Sequence, residues 1–379
     1  MACYSPLVAV YRTENYDEVF SSDGELLDFK VRRKLNPKTG NPMIRILGRF
    51  SDDKDAYELL KKGQTFTLPC GKCIGCKLDY ARHWADRMML EYLAFPKAVF
   101  VTLTYADVSA DGEHHIPMAI DCNTGESFPE LRKKDLSEFM KCLRQKFVDN
   151  GRDDVLLRFF GCGEYGERNH RPHYHLILFG VDLYDLQNIV FSGDIHSSLE
   201  PWTCNELGQL SYRSNFLEDA WKERGFCTVS DVSYDTMAYV GRYSLKKARG
   251  SEYTQNKDIS PEFTLMSRNP GIGKPFLEKM KYEDPEYIDK VSCLSIGPNK
   301  SIFWPKYLID KYYSPEYYGV GCEAKLEALK SQRQKISINN FLNVYENDDR
   351  PYYQKQDFLE KQKTYQVRTL KREMESMVD

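Results

Sequence analysis

Residues 98–105, Ala-Val-Phe-Val-Thr-Leu-Thr-Tyr, are dense in β-branched and aromatic side chains and predict a buried strand. After a polar loop of about 25 residues with Gly and Asn signals, the hydrophobic period changes from two to that of a helix. Leu136, Phe139, Met140, Leu143 and Phe147 fall on one face, and Asp135 is expected as the N-cap. Lys133, Lys134, Lys141, Arg144 and Lys146 load much of the remaining surface with positive charge. Residues 154–164 and 173–180 read as two strands, and the stretch from Tyr165 to Pro172 supplies the turn of an expected hairpin. A short helix over 216–222, a strand over 227–232 and a helix over 235–249, with Asp235 near its start, follow.

Upstream, residues 7–11, 26–31 and 43–47 are strand-like, punctuated by Asp23-Gly24 and Thr39-Gly40. Past residue 70 the pattern becomes helical, with Leu78, Trp84, Met88, Leu90 and Leu93 on the expected apolar face. Beyond residue 251 the chain is polar and tyrosine-rich, with a loop at 269–274 and charged helices expected over 323–340 and 355–377. No repeat of roughly 20–50 residues is present. The expected organisation is a region of N-terminal strands and a cysteine-rich helix (1–95), a central core (96–250) and a C-terminal loop and helical extension (251–379).

Composition narrows the function classes. The chain has 379 residues, 41% of them hydrophobic and 29% charged, which is ample for a core and excludes bulk disorder. The 53 Lys+Arg and 56 Asp+Glu give a net charge of -3, so any nucleic-acid surface must be local. No run approaches the roughly 18–20 apolar residues of a membrane span, and the first residues lack the basic leader of a signal peptide. Eleven cysteines, three of them spaced three apart, point to a reducing compartment with metal-bound or free thiols.

Three constellations carry chemistry. His173 and His175 are two apart on an expected strand, so both imidazoles project to one face while Tyr174 joins Leu176 and Leu178 on the other. If the hairpin closes, Glu164 comes beside them, and His, His and carboxylate can hold a divalent cation with positions open for substrate. The bland alternative is a pair of partly exposed strand histidines. Tyr239 and Tyr243 share a helical face with Lys246 and Lys247. A neighbouring cation favours the phenolate and stabilises a pentacovalent phosphoryl transition state. The alternative is a tyrosine stripe at the edge of a core.

Third, Cys70, Cys73 and Cys76 have the spacing of a structural zinc site and need a fourth ligand, for which Cys3 is the first choice and His83 the second. Three buried thiols are the alternative. Lys72, Lys77, Arg82, Arg87, Arg168, Arg171, Arg242 and Arg249 cluster around these motifs, either as a local phosphate track or as a solvated face. Gly273-Lys274 makes no P-loop, because position 268 is Arg and position 275 is Pro, so no nucleotide cofactor is expected.

Taken in order, the strings PCGKCIGCKLDYARHWADRMMLE, VFVTLTY, GCGEYGERNHRPHYHLILFG and YVGRYSLKK resemble the HUH superfamily of rolling-circle replication initiators. The resemblance is closest to the replication-associated proteins of the Microviridae, single-stranded DNA bacteriophages, of the gokushovirus type. It implies an α+β fold, with a central antiparallel sheet of ferredoxin or RRM type and helices on one face. It implies a metal-dependent endonuclease with joining activity, which attaches a tyrosine to a DNA 5′ phosphate and leaves a 3′ hydroxyl for extension. His173, His175 and Glu164 are then ligands of Mg2+ or Mn2+, Tyr239 and Tyr243 the nucleophiles, and Lys246 and Lys247 charge-stabilising groups. Single-stranded and supercoiled origin DNA, a host helicase and a host polymerase are the implied partners, in the host bacterial cytoplasm and away from membrane. The tyrosine between the histidines is less apolar than the superfamily norm. Two other classes compete: a zinc-stabilised DNA-binding protein without catalysis, and a metal hydrolase using water.

Overall fold

A computed structural model describes residues 3–20, 26–34, 36–37, 43–49, 65–107, 116–122, 124–166, 169–191, 194–196, 198–204, 210–222, 224–243, 259–297, 300–346 and 352–375. The chain divides into two compact units. One is formed by residues 1–79 with 319–374, the other by residues 80–318 with 375–379. In chain order the first elements are β1 (Leu7–Tyr11), β2 (Thr13–Phe20), β3 (Leu26–Arg33), β4 (Ile44–Arg49), β5 (Phe66–Leu68) and α1 (Ile74–Ala94). Then come β6 (Ala98–Thr104), the small hairpin β7 (Met118–Ile120) and β8 (Ser127–Pro129), α2 (Lys133–Asp149), β9 (Arg158–Tyr165) and β10 (Pro172–Phe179). They are followed by α3 (Leu183–Gln187), β11 (Ile189–Phe191), β12 (Asp194–His196), β13 (Leu199–Cys204), β14 (Leu210–Ser214), α4 (Asn215–Ala220), β15 (Cys227–Asp231) and α5 (Tyr234–Tyr243). The last are β16 (Phe263–Met266), α6 (Lys274–Glu283), α7 (Tyr287–Lys290), β17 (Cys293–Gly297), β18 (Lys300–Phe303), α8 (Lys306–Tyr312), α9 (Cys322–Glu346) and α10 (Tyr352–Glu375). No described helix is long and apolar enough to cross a membrane.

The second unit is built on a seven-stranded sheet of order β13-β14-β15-β6-β10-β9-β16, every pair antiparallel. The hairpin expected from the sequence is β9–β10, with Tyr165 opposite Pro172 at its mouth. Strand β10 lies between β9 and β6, so both of its edges are hydrogen-bonded. Its side chains alternate. Tyr174, Leu176 and Leu178 enter a core with Leu136, Phe139, Met140, Leu143 and Phe147 of α2 and Phe216 and Leu217 of α4. Ile177 and Phe179 enter a second core with Ala85 and Met88 of α1 and Met237 and Val240 of α5.

Helices therefore flank both faces, which corrects the expectation of helices on one face. The cause is written in β10 itself: Ile177 and Phe179 are as apolar as Leu176 and Leu178, so neither face can be left to water. A second correction concerns Asp135. The helix α2 starts at Lys133 after an N-cap at Arg132 that makes no side-chain cap, and Asp135 instead takes the Tyr105 hydroxyl hydrogen bond at 2.6 Å. In the first unit β1 pairs with β4 and β5, and β2 pairs with β3.

Candidate metal centre

The hairpin register sets the site. His173 lies directly opposite Glu164, and cross-strand partners share a face. His175, two residues on, shares that face. The two imidazoles converge on one carboxylate oxygen: Glu164 Oε1 lies 2.6 Å from His173 Nε2 and 3.1 Å from His175 Nε2. Adjacent ligands of an octahedral ion with bonds of about 2.1 Å sit roughly 3.0 Å apart, so these donors fit one small divalent cation. Their outer contacts orient them. His173 Nδ1 donates to the Arg171 carbonyl at 3.1 Å, which directs Nε2 to the carboxylate, and His175 Nδ1 lies 3.0 Å from Thr102 Oγ1.

Burial is graded across the three. Glu164 and His175 are sealed, whereas the His173 side chain is 19% exposed and marks the open side. Burial alone would push the Glu164 carboxyl up, but the hydrogen bonds from His173 and His175 outweigh it and hold the group well below the usual carboxylate range. A carboxylate that stays ionised in a dry, imidazole-lined pocket is a cation site by its chemistry.

Tyr174 explains the tyrosine between the histidines. Its ring faces the opposite core, where its hydroxyl donates to the Arg132 carbonyl at 3.0 Å, accepts from the Arg132 N–H at 3.1 Å and lies 2.8 Å from the Tyr105 hydroxyl. The polar tip thus satisfies the start of α2 and pins the histidine strand to it.

Helix α5 crosses the histidine face. The Tyr239 ring stands edge-on to His175 at 5.4 Å between centroids and edge-on to Phe100 at 6.2 Å, while Phe100 stacks on His175 at 5.6 Å. The helix is held there by a close crossing with α1. A Cβ at Gly241 would lie 2.7 Å from the Ala81 carbonyl oxygen, so only glycine admits this approach. The Tyr234 hydroxyl adds a 2.6 Å bond to the buried Asp86 of α1. Tyr243 closes α5 one turn after Tyr239, and Lys246 and Lys247 lie outside the described residues.

In the first unit Cys3, Cys70, Cys73 and Cys76 gather with their sulfurs within 4.8 Å of one another. Cys70–Cys76 and Cys3–Cys73 are each 3.9 Å apart. A tetrahedral zinc with bonds of about 2.3 Å separates its sulfurs by roughly 3.8 Å, so the four fit a closed site. Backbone N–H groups point at the sulfurs: Tyr4 to Cys73 and Cys70 to Cys3 at 3.3 Å, Cys73 to Cys70 at 3.3 Å and Cys76 to Cys73 at 3.4 Å. Gly71 turns the chain with a φ of 70°. Burial pushes the Cys3 thiol up to about 11 and Cys76 higher still; at Cys70 burial acts the same way, but the Cys73 and Lys72 N–H groups bring the thiol down to about 7. The fourth member is Cys3, and His83 does not join the cluster.

The basic residues divide. Arg87 is buried, sandwiched between the Trp84 and Tyr307 rings at 4.3 and 4.0 Å and bonded to the Ile272 carbonyl, so it braces the 269–274 loop and offers nothing to a phosphate. Arg171 bonds the Tyr105 carbonyl and Asp107 at 2.7 Å beside the histidines. Arg168 and Arg249 lie outside the described residues. Sequence spacing gives no sign of Trp202, Phe226 and Arg213, which meet on the same sheet face; strand order brings them together.

Fold and site define an α+β protein whose antiparallel sheet carries a His, His, Glu metal centre, and whose other unit carries a four-cysteine cluster. Residues 98–248 match the family of replication-associated proteins described under the name ORF2. The chain is 28% identical over 278 residues to the replication-associated protein ORF2 of Spiroplasma virus 4, covering 72% of this chain and 74% of that one. It is 28% identical over 306 residues to the replication-associated protein VP4 of Bdellovibrio phage phiMH2K, covering 78% and 83%. To the replication-associated protein ORF4 of Chlamydia phage 1 it is 28% identical over 196 residues, 52% of this chain and 42% of the relative. The chain is thus related to phage replication-associated proteins. No solved structure matches it.

Proposed function

We propose that this chain is a rolling-circle replication initiator of the HUH type, with a ferredoxin-like core, from a phage of the gokushovirus kind. The observation that carries the reading is the Tyr239 ring on α5, 5.4 Å from an imidazole of the metal centre. A phenol stands beside a site suited to gripping a phosphate oxygen. In this reading His173, His175 and Glu164 hold Mg2+ or Mn2+, which when bound draws charge from a non-bridging phosphate oxygen. The Tyr239 oxygen attacks phosphorus in line, the bond from phosphorus to the 3′ oxygen breaks, and the phenolic proton passes to that leaving oxygen. The resulting phosphotyrosine keeps the bond's free energy, so a later 3′ hydroxyl can reseal the strand without a nucleotide cofactor. Tyr243, one turn on, serves the second cut, and Lys246 and Lys247 supply positive charge to the transition state. Strand opening and extension fall to host helicase and polymerase in the bacterial cytoplasm.

A supercoiled plasmid carrying the cognate origin tests this. Wild-type protein should nick it and leave a protease-sensitive DNA adduct. Phe at both Tyr239 and Tyr243 should abolish the adduct, and His173→Ala should stop metal-dependent nicking while leaving DNA binding largely intact. An adduct retained in the double variant would refute the assignment. Retardation alone would instead mark a binding protein, and cleavage without adduct a hydrolase.

A further inference from the structure

The register of the central sheet carries the face of the metal centre outward. His175 pairs with Thr102, Thr102 with Thr228, Thr228 with Arg213 and Arg213 with Glu200. All five therefore project to one side. Phe226 precedes β15, and its carbonyl accepts from both the N–H and the hydroxyl of Thr104, the partner of His173, so it continues the same row. At the strand spacing, Phe226 lies two strands, about 10 Å, from His173, and Arg213 three strands, about 14 Å, from His175.

Trp202 reaches this face through an irregularity. Pro201 pairs with Tyr212 and Thr203 with Ser211, so Trp202 is the extra residue of a bulge in the edge strand β13. Bulges re-aim side chains. The indole comes within 5.7 Å of the Phe226 ring, tilted by 39°, and stays 49% exposed. The Arg213 guanidinium sits 5.5 Å from one ring and 5.8 Å from the other. It is held in orientation by both oxygens of Glu218, at 2.9 and 2.8 Å, and Glu218 also accepts the Cys227 N–H at 3.1 Å. Beside them opens a cavity of about 430 Å³, with Arg213, Phe226, Ala106 and Asn215 in its wall. That is the size range of small-molecule pockets.

We infer that Trp202, Phe226 and Arg213 form a stacking cleft for a nucleobase of single-stranded DNA next to the phosphate at the metal centre. Two aromatic faces and a planar guanidinium, fixed side by side at the edge of the sheet, suit a flat π-system. Arg213 is already neutralised by Glu218, so the cleft recognises a base face and not a phosphate. Stacking of this kind tolerates any sequence. The inference rests on the proposed function, because it takes the strand held at the histidines to continue over this face.

The test is equilibrium binding of fluorescein-labelled oligothymidylate in EDTA, read by anisotropy, where neither cation nor tyrosine chemistry contributes. Trp202→Ala should weaken binding about tenfold, the loss of one stacked base, and Trp202→Phe should restore most of it. His173→Ala should bind as wild type. Trp202 is half exposed, so its loss should leave the fold intact, and a melting curve superimposable on wild type checks this; Phe226→Leu provides a second variant with the same expected loss. If Trp202→Ala and Phe226→Leu both bind within twofold of wild type, the cleft is overturned while the nicking reading stands. Loss of binding in both variants together with absence of any adduct in the wild type would uphold the cleft and sink the nicking reading. Wild-type protein that binds no oligothymidylate at all would overturn both.

Discussion

Gly241→Ala tests whether the crossing of α5 over α1 holds Tyr239 where it is. The new Cβ would sit 2.7 Å from the Ala81 carbonyl oxygen, and ordinary contact begins near 3.4 Å, so the helices must separate by about 0.7 Å. The obstacle is backbone and cannot swing aside as a side chain would. Overpacking of this kind costs about 1–3 kcal/mol, and the gain in helix propensity from Gly to Ala returns about 1 kcal/mol. The expected net loss is about 1 kcal/mol, read as a lower urea midpoint. Because α5 carries the tyrosine, the same shift should slow single-turnover formation of the DNA adduct about tenfold or more, since misplacement by about 1 Å costs roughly a hundredfold. If Gly241→Ala instead raises the midpoint by the full propensity gain and leaves the adduct rate unchanged, the crossing does not position the helix.

Cys70→Ser should drop bound zinc from one per chain to near zero by elemental analysis and destabilise the first unit; a wild-type protein already free of zinc would dispose of the four-cysteine site. Tyr174→Phe leaves the Arg132 N–H and carbonyl without their partner at the head of α2 and should cost about 2–3 kcal/mol in chemical denaturation, with less than about 0.5 kcal/mol counting against the anchor. At His83, burial and then repulsion from Arg87 and Lys306 push the imidazole down to about 4. The unfolded chain, at about 6.5, binds the proton first, so the stability held by neutral His83 is complete above pH 6.5 and is lost as pH falls toward 4. Relative to His83→Gln, the wild type should lose about 2–3 kcal/mol over that window, and parallel urea midpoints of the two proteins from pH 7 to pH 4.5 would contradict it.

The hairpin and the His, His, Glu face were legible because strand period is two and the intervening turn is short: once His173 and His175 share a side, pairing through Tyr165 and Pro172 delivers Glu164. The buried stripe of α2 was legible for the same kind of reason, a clean helical period of large side chains. The face of α1 that meets α5 was not, because Ala81 and Ala85 bury it, and small residues carry little weight in a hydrophobic pattern. Strand β16 was missed as well. Its four residues sit inside a polar tail, and only the edge of β9 makes them a strand. The meeting of Trp202 with Phe226 depends on β15 lying beside β6, a pairing of segments more than a hundred residues apart that no local spacing encodes.

The division of the chain also orders its folding. The unit that carries the histidines is one nearly continuous segment, residues 80–318, and can assemble as soon as it leaves the ribosome. The unit with the four cysteines joins residues 1–79 to 319–374, so its opening strands must wait for the whole intervening span to be translated. Glu360 of α10 accepts the Ile74 N–H at 3.0 Å, at the very turn that bears the thiols, so a nascent chain stalled before residue 360 would hold those thiols without the carboxylate that caps their helix.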